Sequence, residues 1–414
     1  MAIALDRRTR FDVDLHHVTP DEFFAETVPD LLARHGALMA EGIVALEAPP
    51  LALEVGSRSW SFVPSADTVV VEDGVVDGAV IVTLDDDPFS DWAQLQVSFN
   101  GMAVMQELKF RDGSDRDISI WDALWHTLLE GWPVVDDNLH FLDRHGAPLD
   151  LAQSFAPDDD PADIAHFLRE AGYLHLRGWL DPADMATIAE DIDRAVPAYE
   201  EGDGKSWWAV LADGTRRCVR LQEFLEHSPT TAAILEGDRW EQVRRTLQAD
   251  DELVHSKAIE ALIKPVGVVQ GASDVTFHRD CHLGRHPYGC SGTTIGISVT
   301  GGTEANGRLR VVAGSHRVAM PVEIARTGDS YLPVIAVTTE PGDLTVHLSC
   351  TLHEAAPPKT DERKVMYAGF GLAPRDGDLP DGSQALREMR EKAPKLLLTA
   401  GAPTAEDAWG TSDT

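Results

Sequence analysis

The sequence predicts an α+β protein in which a smaller α/β domain precedes a larger domain rich in β-strands. The chain has 414 residues, of which 43% are hydrophobic and 25% charged, a globular composition long enough for two domains. Between them, residues 153–162 carry two prolines and three consecutive aspartates, the composition of a linker. We therefore expect an N-terminal domain over residues 1–152 and a C-terminal domain over residues 163–395.

The first domain is predicted to begin with a helix. Thr19 is a suitable N-terminal cap, Pro20 stands in the first turn, and apolar residues follow at helical spacing. Four strand-like runs come next, separated by Pro, Gly and Asp turns: Leu51–Val55, Arg58–Val63, Thr68–Glu72 and Ala79–Leu84. A short helix entered at Asp87 and a longer helix over Ile118–Leu129 complete the pattern.

This succession of helix, meander, short helix, strand and helix is similar to the sterol-carrier-protein fold. Members of that fold enclose an apolar tunnel for lipids, so the similarity implies a lipid-carrier-like accessory domain. The alternative is an α/β accessory domain with a structural or dimerising role. No cluster of residues in this part of the sequence suggests catalysis.

The second domain is predicted to open with a helix over Asp163–Ala171, a strand over Tyr173–Arg177 and a second helix from Asp181. Further strands are expected in three later runs: Ile259–Val269, Thr293–Val299 and Gly307–Val312. The last residues, 396–414, are small, polar and acidic, and we expect them to be disordered.

Two metal-binding side chains stand two residues apart in Thr276–Asp280, a segment with strand character. Alternate side chains of a strand face the same way, so His278 and Asp280 are expected to point into one site. A third ligand, His353, stands at the far end of a predicted turn and strand, Gly342–His353. Two histidines and one carboxylate on one face of a metal, with the other face open, form the facial triad of non-haem Fe(II) oxygenases.

Three further histidines compete for the ligand role. His282 and His286 lie an even number of residues from His278 and share its predicted face. A proline and two glycines nearby predict a loop there, so we expect both in the pocket wall. His347 shares the parity of His353 on the predicted strand and is the second choice of distal ligand.

A fixed positive charge follows ten residues after His353. Arg363 opens an apolar run that ends at Phe370, so its side chain is expected to project from a strand beside the metal. A guanidinium offers two parallel hydrogen bonds to a carboxylate, which suits a dicarboxylate co-substrate.

These motifs resemble the phytanoyl-CoA dioxygenase-like family in their order and approximate spacing. The motifs are His278-x-Asp280, Gly314-Ser315-His316-Arg317, Gly342-Asp343, His353 and Arg363. The resemblance covers roughly residues 160–375. Members of the family are Fe(II)- and 2-oxoglutarate-dependent oxygenases built on a double-stranded β-helix, a form of jelly roll.

The resemblance implies that the second domain is a double-stranded β-helix with flanking helices. It implies Fe(II) on His278, Asp280 and His353, with 2-oxoglutarate held by Arg363 and O₂ as the further substrate. It also implies that Lys264 is a basic residue near the co-substrate. Such an enzyme would hydroxylate a small lipid-like or secondary-metabolite substrate and release succinate and CO₂.

Two other classes of function stay open. A jelly roll with His and Asp ligands could hold zinc and hydrolyse a substrate, although hydrolysis needs no carboxylate clamp such as Arg363. A non-catalytic protein that binds lipids or other small molecules has no use for a complete triad and a clamp. Asp280 favours hydroxylation over halogenation, because related iron halogenases carry a small residue in its place. Desaturation, cyclisation and epimerisation use the same ligands, so Asp280 does not exclude them.

Charge and cysteine content restrict partners and location. The formal net charge is −34, from 35 basic and 69 acidic side chains, and such a surface repels a phosphate backbone, which excludes nucleic acid. Four cysteines without a Cys-x-x-Cys motif do not form a disulfide framework. No signal peptide or membrane span is expected. We therefore expect a cytoplasmic enzyme with a small-molecule substrate, and the sequence leaves the oligomeric state open.

Overall fold

The computed structural model describes residues 16–65, 67–104, 107–136, 138–247, 253–255, 259–271, 273–283 and 292–372. Within these residues, helices and mainly antiparallel strands build two large hydrophobic cores, one between Val18 and Val134 and the other between Phe155 and Phe370. The predicted α+β class is confirmed. The tail over 396–414, predicted to be disordered, lies outside the described residues. None of the described helices has the length and apolar character needed to cross a lipid bilayer.

Five helices and a five-stranded sheet surround the first core. The helices are α1 Pro20–Glu22, α2 Val28–Leu46, α3 Asp86–Ala93, α4 Phe99–Val104 and α5 Asp115–Glu130, with a π-helical turn at Phe23–Thr27. The strands are β1 Leu51–Val55, β2 Arg58–Ser65, β3 Thr68–Asp73, β4 Val80–Leu84 and β5 Lys109–Arg111. Their order in the sheet is β3-β2-β1-β4-β5, and β1 and β4 run parallel. The four predicted strands are present, and the Thr19 side chain caps α1 by accepting a hydrogen bond from the Glu22 N–H.

Aromatic rings fill the first core. The rings of Trp92 and Trp125 stack with their centroids 3.6 Å apart, and Trp92 also stacks on Phe99 at 5.3 Å. Phe62 meets Trp125 edge to face at 5.9 Å. The indole N–H of Trp125 donates to the carbonyl of Trp92 at 3.0 Å, so its one polar atom is satisfied inside the core. Each such ring pair contributes about 0.5–1.5 kcal/mol beyond its buried area.

The second core carries five helices and twelve strands among the described residues. The helices are α6 Pro161–Ala171, α7 Pro182–Ala195, α8 Pro229–Leu235, α9 Asp238–Leu247 and α10 Val322–Thr327. The strands are β6 Tyr173–Leu176, β7 Ser206–Leu211, β8 Arg216–Leu221, β9 Leu253–His255, β10 Glu260–Lys264, β11 Val268–Gln270, β12 Thr293–Ser298, β13 Leu309–Val312, β14 Val334–Val337, β15 Leu344–Leu348, β16 His353–Ala355 and β17 Arg363–Leu372. Three short 3-10 turns are Val196–Ala198, Phe224–His227 and Asp280–His282.

These strands form a large and a small sheet. The order is β11-β7-β8-β10-β17-β12-β15-β6 in the large sheet, with β9 paired to β17, and β14-β13-β16 in the small one. An isolated bridge from His278 to His353 adds the segment at His278 to the small sheet. From β10 onward the chain passes repeatedly between the two sheets: β10, β12, β15 and β17 lie in the large sheet, and the His278 segment, β13, β14 and β16 in the small one. This alternation is the predicted double-stranded β-helix.

Three predicted elements differ from the structure. The strand expected over Thr276–Asp280 is only a single bridge at His278, because Asp280 already begins a 3-10 turn. The strand expected to end at His353 is two strands, since β15 ends in the large sheet and β16 begins at His353 in the small one. The run Ile259–Val269 is also two strands, separated by a turn in which Gly267 has a φ of +80°.

Candidate metal centre

The three predicted ligands meet inside the β-helix. His278, Asp280 and His353 bring their ligand atoms within 4.8 Å of one another, and this is the group of three that could hold a metal ion within the described part of the chain. Asp280 Oδ1 lies 3.4 Å from His278 Nε2 and 3.6 Å from His353 Nε2. Backbone hydrogen bonds of 3.0 and 3.1 Å between His278 and His353 hold the two histidines side by side.

Both histidines present the same ring nitrogen to this site. His278 Nδ1 is 2.8 Å from the carbonyl oxygen of Thr276, and His353 Nδ1 is 2.9 Å from that of Thr351. A carbonyl oxygen only accepts hydrogen bonds, so Nδ1 carries the proton in each ring. In a neutral ring with this tautomer, Nε2 has the lone pair that a ligating histidine offers to a metal ion.

The charge states of the ligands also suit a metal. Burial opposes ionisation of Asp280, but the surrounding histidines, first His353, outweigh it and hold the pKa of the carboxyl well below its usual value. Burial, followed by the neighbouring His347 and His278, lowers the pKa of His353 well below the usual value for histidine. An ionised carboxylate and a neutral imidazole are the forms that bind metals.

The rival histidines lie in different places. His347 Nε2 is 3.2 Å from Asp280 Oδ2, and its ring centroid is 3.9 Å from that of His353, so this residue contacts the carboxylate ligand. His282 is not part of the group of three, and its ring stacks on His126 of α5. His286 lies outside the described residues.

Arg363 is the first residue of β17, and its side chain is buried. On β17, Gly369 lies opposite Thr294, whose hydroxyl contacts Asp280. Alternate residues of a strand face the same way, so Arg363, six residues before Gly369, faces the same side of the sheet as Thr294 and Asp280. The Arg363 Nε has no hydrogen-bond partner, and no carboxylate among the described residues pairs with this guanidinium. Burial lowers the pKa of Arg363, although Tyr367 and the Asp274 charge act in the opposite direction, so the buried charge is only partly compensated. A carboxylate from a bound molecule would compensate it.

Lys264 lies opposite Arg363 in the pairing of β10 with β17. Its Nζ forms an ion pair with Asp274 Oδ1 at 2.8 Å and donates to the carbonyls of Ala355 and Ala356, each at 2.9 Å. These three protein oxygens surround the ammonium group. Burial, with the nearby Arg363 charge, lowers the pKa of Lys264 to about 8. Its role towards the co-substrate stays a prediction.

Two motif residues hold turns. Ser315 donates its hydroxyl to the Val312 carbonyl at 2.7 Å and accepts the Leu352 N–H at 2.8 Å, directly before His353. Asp343 accepts the N–H of Glu340 at 2.9 Å, as expected of an aspartate in a turn.

The sequence alone does not indicate Thr294, which the structure adds to the site. Its hydroxyl donates to Asp280 Oδ2 at 2.7 Å. A single threonine in a strand carries no functional signal. Only the pairing of β12 with β15, which sets Thr294 opposite His347, brings it to the ligand.

Comparison with known proteins gives one family. The sequence model of the family described as Phytanoyl-CoA dioxygenase (PhyH) matches residues 168–366. None of the curated proteins compared matches the chain.

Several solved structures are similar to about half of the chain. AviO1 from Streptomyces viridochromogenes Tue57 is 21% identical over 52% of this chain and 97% of that chain, with a TM-score of 0.43. EctD from S. alaskensis with 2-oxoglutarate and 5-hydroxyectoine is 19% identical over 60% of this chain and 90% of that chain, with a TM-score of 0.43. The epimerase SnoN in complex with Fe3+, alpha ketoglutarate and nogalamycin RO is 22% identical over 54% of this chain and 93% of that chain, with a TM-score of 0.42.

The region matched by the family includes His278, Asp280, His353 and Arg363. Residues 168–366 therefore match the phytanoyl-CoA dioxygenase (PhyH) family, and the family that the motifs predicted is confirmed for this part of the chain.

Proposed function

We propose that the protein is an Fe(II)- and 2-oxoglutarate-dependent oxygenase. The observation that carries the proposal is the combination of His278, Asp280 and His353 with the buried Arg363, which lacks a carboxylate partner among the described residues. Three ligands on one face of a metal leave the other positions open for a co-substrate and dioxygen. The family match over residues 168–366 supports this reaction class.

Each residue has a defined task in this proposal. His278 and His353 would bind the metal through Nε2, since each Nδ1 faces a backbone carbonyl, and Asp280 through its ionised Oδ1. Arg363 would form bidentate hydrogen bonds with the far carboxylate of 2-oxoglutarate and orient that molecule. When bound, Fe(II) and 2-oxoglutarate supply the oxidising chemistry, with release of succinate and CO₂. The protein contributes ligand geometry and a buried site from which bulk water is kept away.

We propose hydroxylation as the outcome, on a small lipid-like or secondary-metabolite substrate in the cytoplasm. Asp280 supports this, because its carboxylate takes the metal position that a halide needs in related halogenases. Epimerisation, cyclisation and desaturation require the same three ligands and differ in how the substrate is held. Once a substrate is found, one labelled oxygen in a product made under ¹⁸O₂ supports hydroxylation, and loss of two hydrogens without label contradicts it.

Succinate formation tests the reaction class. The purified protein with Fe(II), 2-oxoglutarate and air is expected to release succinate, slowly even without substrate, and to stop when EDTA is added or oxygen is removed. A zinc-dependent hydrolase, the alternative on this donor set, would form no succinate and would hydrolyse a substrate with Zn²⁺. A non-catalytic binding protein would do neither. Failure to bind 2-oxoglutarate and to form succinate would refute the proposal.

The first domain keeps its predicted similarity to sterol carriers as a proposal. The stacked rings of Trp92, Trp125 and Phe99 at its centre favour the alternative, a structural role. Saturable binding of a fluorescent fatty acid to the full chain, displaced by a second long-chain acid, would support a carrier. Absence of such binding would leave the structural role.

A further inference from the structure

We propose that Thr294 and His347 are positioning residues that make Asp280 bind the metal through Oδ1 alone. This rests on the proposed metal centre. Thr294 Oγ1 donates to Asp280 Oδ2 at 2.7 Å, and His347 Nε2 lies 3.2 Å from the same oxygen. The other oxygen, Oδ1, is the one that faces Nε2 of His278 and of His353. Asp280 Oδ2 is therefore held by protein side chains, and Oδ1 is left to bind the metal.

The β-sheet fixes both donors. Thr294 on β12 lies directly opposite His347 on β15, and opposite residues on one face have Cβ atoms about 4.5–5.5 Å apart. Both side chains can thus reach one oxygen. A carboxylate oxygen accepts hydrogen bonds, and His347 Nε2 lies within hydrogen-bond distance of Asp280 Oδ2, so His347 can donate from Nε2. Its Nδ1 is buried without a hydrogen-bond partner, so the contact with Asp280 is what orients this ring.

This arrangement has a consequence for metal coordination. A carboxylate that rotates freely can bind a metal through both oxygens, and the second bond would fill a position that 2-oxoglutarate or dioxygen needs. Rotation of Asp280 would leave the buried His347 N–H and the partly buried Thr294 hydroxyl without their acceptor, which is unfavourable. Residues that hold a metal ligand in this way commonly change metal affinity about 10–100-fold when replaced.

Paired substitutions test the proposal with Mn²⁺ as the probe. Thr294→Val removes the hydroxyl and keeps the shape, whereas Thr294→Ser keeps the hydroxyl. His347→Phe removes the donor and keeps a ring, whereas His347→Gln keeps an N–H. We expect Thr294→Val and His347→Phe to weaken Mn²⁺ binding about 10-fold or more and to alter the electron paramagnetic resonance spectrum of bound Mn²⁺. The two conservative variants should keep most of the affinity and the native spectrum.

The outcomes of these experiments distinguish failure of the positioning role from failure of the proposed metal centre. A native protein that does not bind Mn²⁺ would refute the metal centre itself. Native binding with unchanged affinity and spectra in both Thr294→Val and His347→Phe would leave the metal centre standing and overturn the positioning role. Equal losses in Thr294→Ser and Thr294→Val would also overturn it, because the serine retains the hydroxyl.

A separate observation concerns the first domain: we infer that α5 supports the turn that carries Asp280. His282 ends this 3-10 turn, and its ring stacks on His126 of α5 with centroids 5.1 Å apart and planes 8° apart. Its Nδ1 lies 3.7 Å from Asp122 Oδ2. Asp122 is itself fixed by the backbone N–H of Phe99, which it accepts at 2.7 Å. His282, His126 and Asp122 are all buried.

The first domain also contacts a second segment next to Asp280, the one that holds Arg279. The N–H of Ala319 donates to the Pro133 carbonyl at 2.9 Å, which ties the 315–323 segment to the first domain. Arg279, between the two ligands His278 and Asp280, donates to the carbonyl of Met320 at 3.0 Å in that segment. The first domain thus contacts both the turn after Asp280 and the segment that anchors Arg279.

Substitution of His126 tests this support. We expect His126→Ala to weaken Mn²⁺ binding about 10-fold, and His126→Phe, which keeps the stacked ring, to restore most of it. His35→Ala is the matched control, because His35 is another histidine packed against α5, with its Nδ1 2.7 Å from the Leu128 carbonyl oxygen. Unchanged Mn²⁺ affinity in His126→Ala, or an equal loss in His35→Ala, would overturn the inference.

Discussion

His278→Ala and His353→Ala are each expected to abolish metal binding and succinate formation while the protein stays folded. Each substitution removes one Nε2 ligand from a group of three, and the two that remain are a weak site. The strand contacts of both residues are backbone hydrogen bonds of 3.0 and 3.1 Å, which alanine retains. Metal affinity should fall by more than about 100-fold. That is the largest loss usually seen when a residue that only supports a metal ligand is replaced. Mn²⁺ titration measures metal affinity, a succinate assay measures turnover, and circular dichroism shows whether the protein is folded.

His175→Ala is the matched control for these two variants. His175 Nε2 lies 2.9 Å from Asp343 Oδ2, so it is another histidine paired with a carboxylate, but it lies on β6 and is not part of the metal group. It should lose some stability and keep its metal. Full metal retention in either His278→Ala or His353→Ala would show that the ligand assignment is wrong. Loss of metal in His347→Ala alone would make His347 the distal ligand.

The sequence pattern predicts that the His278 and Asp280 side chains lie together, and they do, although the predicted strand is nearly absent. What matters is the single residue between them. Arg279 has φ −109° and ψ 131°, an extended conformation, and one extended residue already sets its two neighbours on the same side of the chain. The spacing therefore predicts the shared site, whether or not the strand continues.

The path from β15 to β16 could not be predicted in the same way. Apolar residues alternate with polar ones on both sides of the turn between Leu348 and His353. This alternation looks the same whether the chain continues in one sheet or crosses to another. His347 and His353 consequently lie in different sheets, and their rings meet only because both face the interior. Thr294 depends on the same long-range pairing, which no local pattern records.

The partners of Lys264 also lie beyond what the sequence pattern can show. A lysine before a proline predicts nothing about burial. In the structure, however, the Lys264 ammonium contacts Asp274 and the carbonyls of Ala355 and Ala356 at the end of β16. Only the closure of the two sheets brings these groups together. The family resemblance indicates a basic residue near the co-substrate, and the contacts show that protein groups already occupy it.

Arg363→Ala is expected to raise the 2-oxoglutarate concentration needed for half-maximal succinate formation far more than it lowers metal affinity. Removing one partner of a buried charge pair costs about 2–5 kcal/mol, which corresponds to roughly 30- to 4,000-fold in affinity. Metal binding should change little, because Arg363 is not among the three ligands. The KM for 2-oxoglutarate and the Kd for Mn²⁺, measured on the same preparation, separate these two effects.

Arg363→Lys distinguishes a bidentate contact from a simple positive charge. Lysine restores the charge but not the planar pair of donors, so it should recover only part of the lost affinity for 2-oxoglutarate. If Arg363→Ala left the KM unchanged, another cation would have to hold the co-substrate, and Lys264, opposite Arg363 in the β10–β17 pairing, is the first choice. That choice would require the Lys264 ammonium to leave Asp274 or a carbonyl, whereas Arg363 already has an unpaired buried Nε. Lys264→Met should therefore reduce stability, by leaving Asp274 without its partner, more than it changes the KM for 2-oxoglutarate.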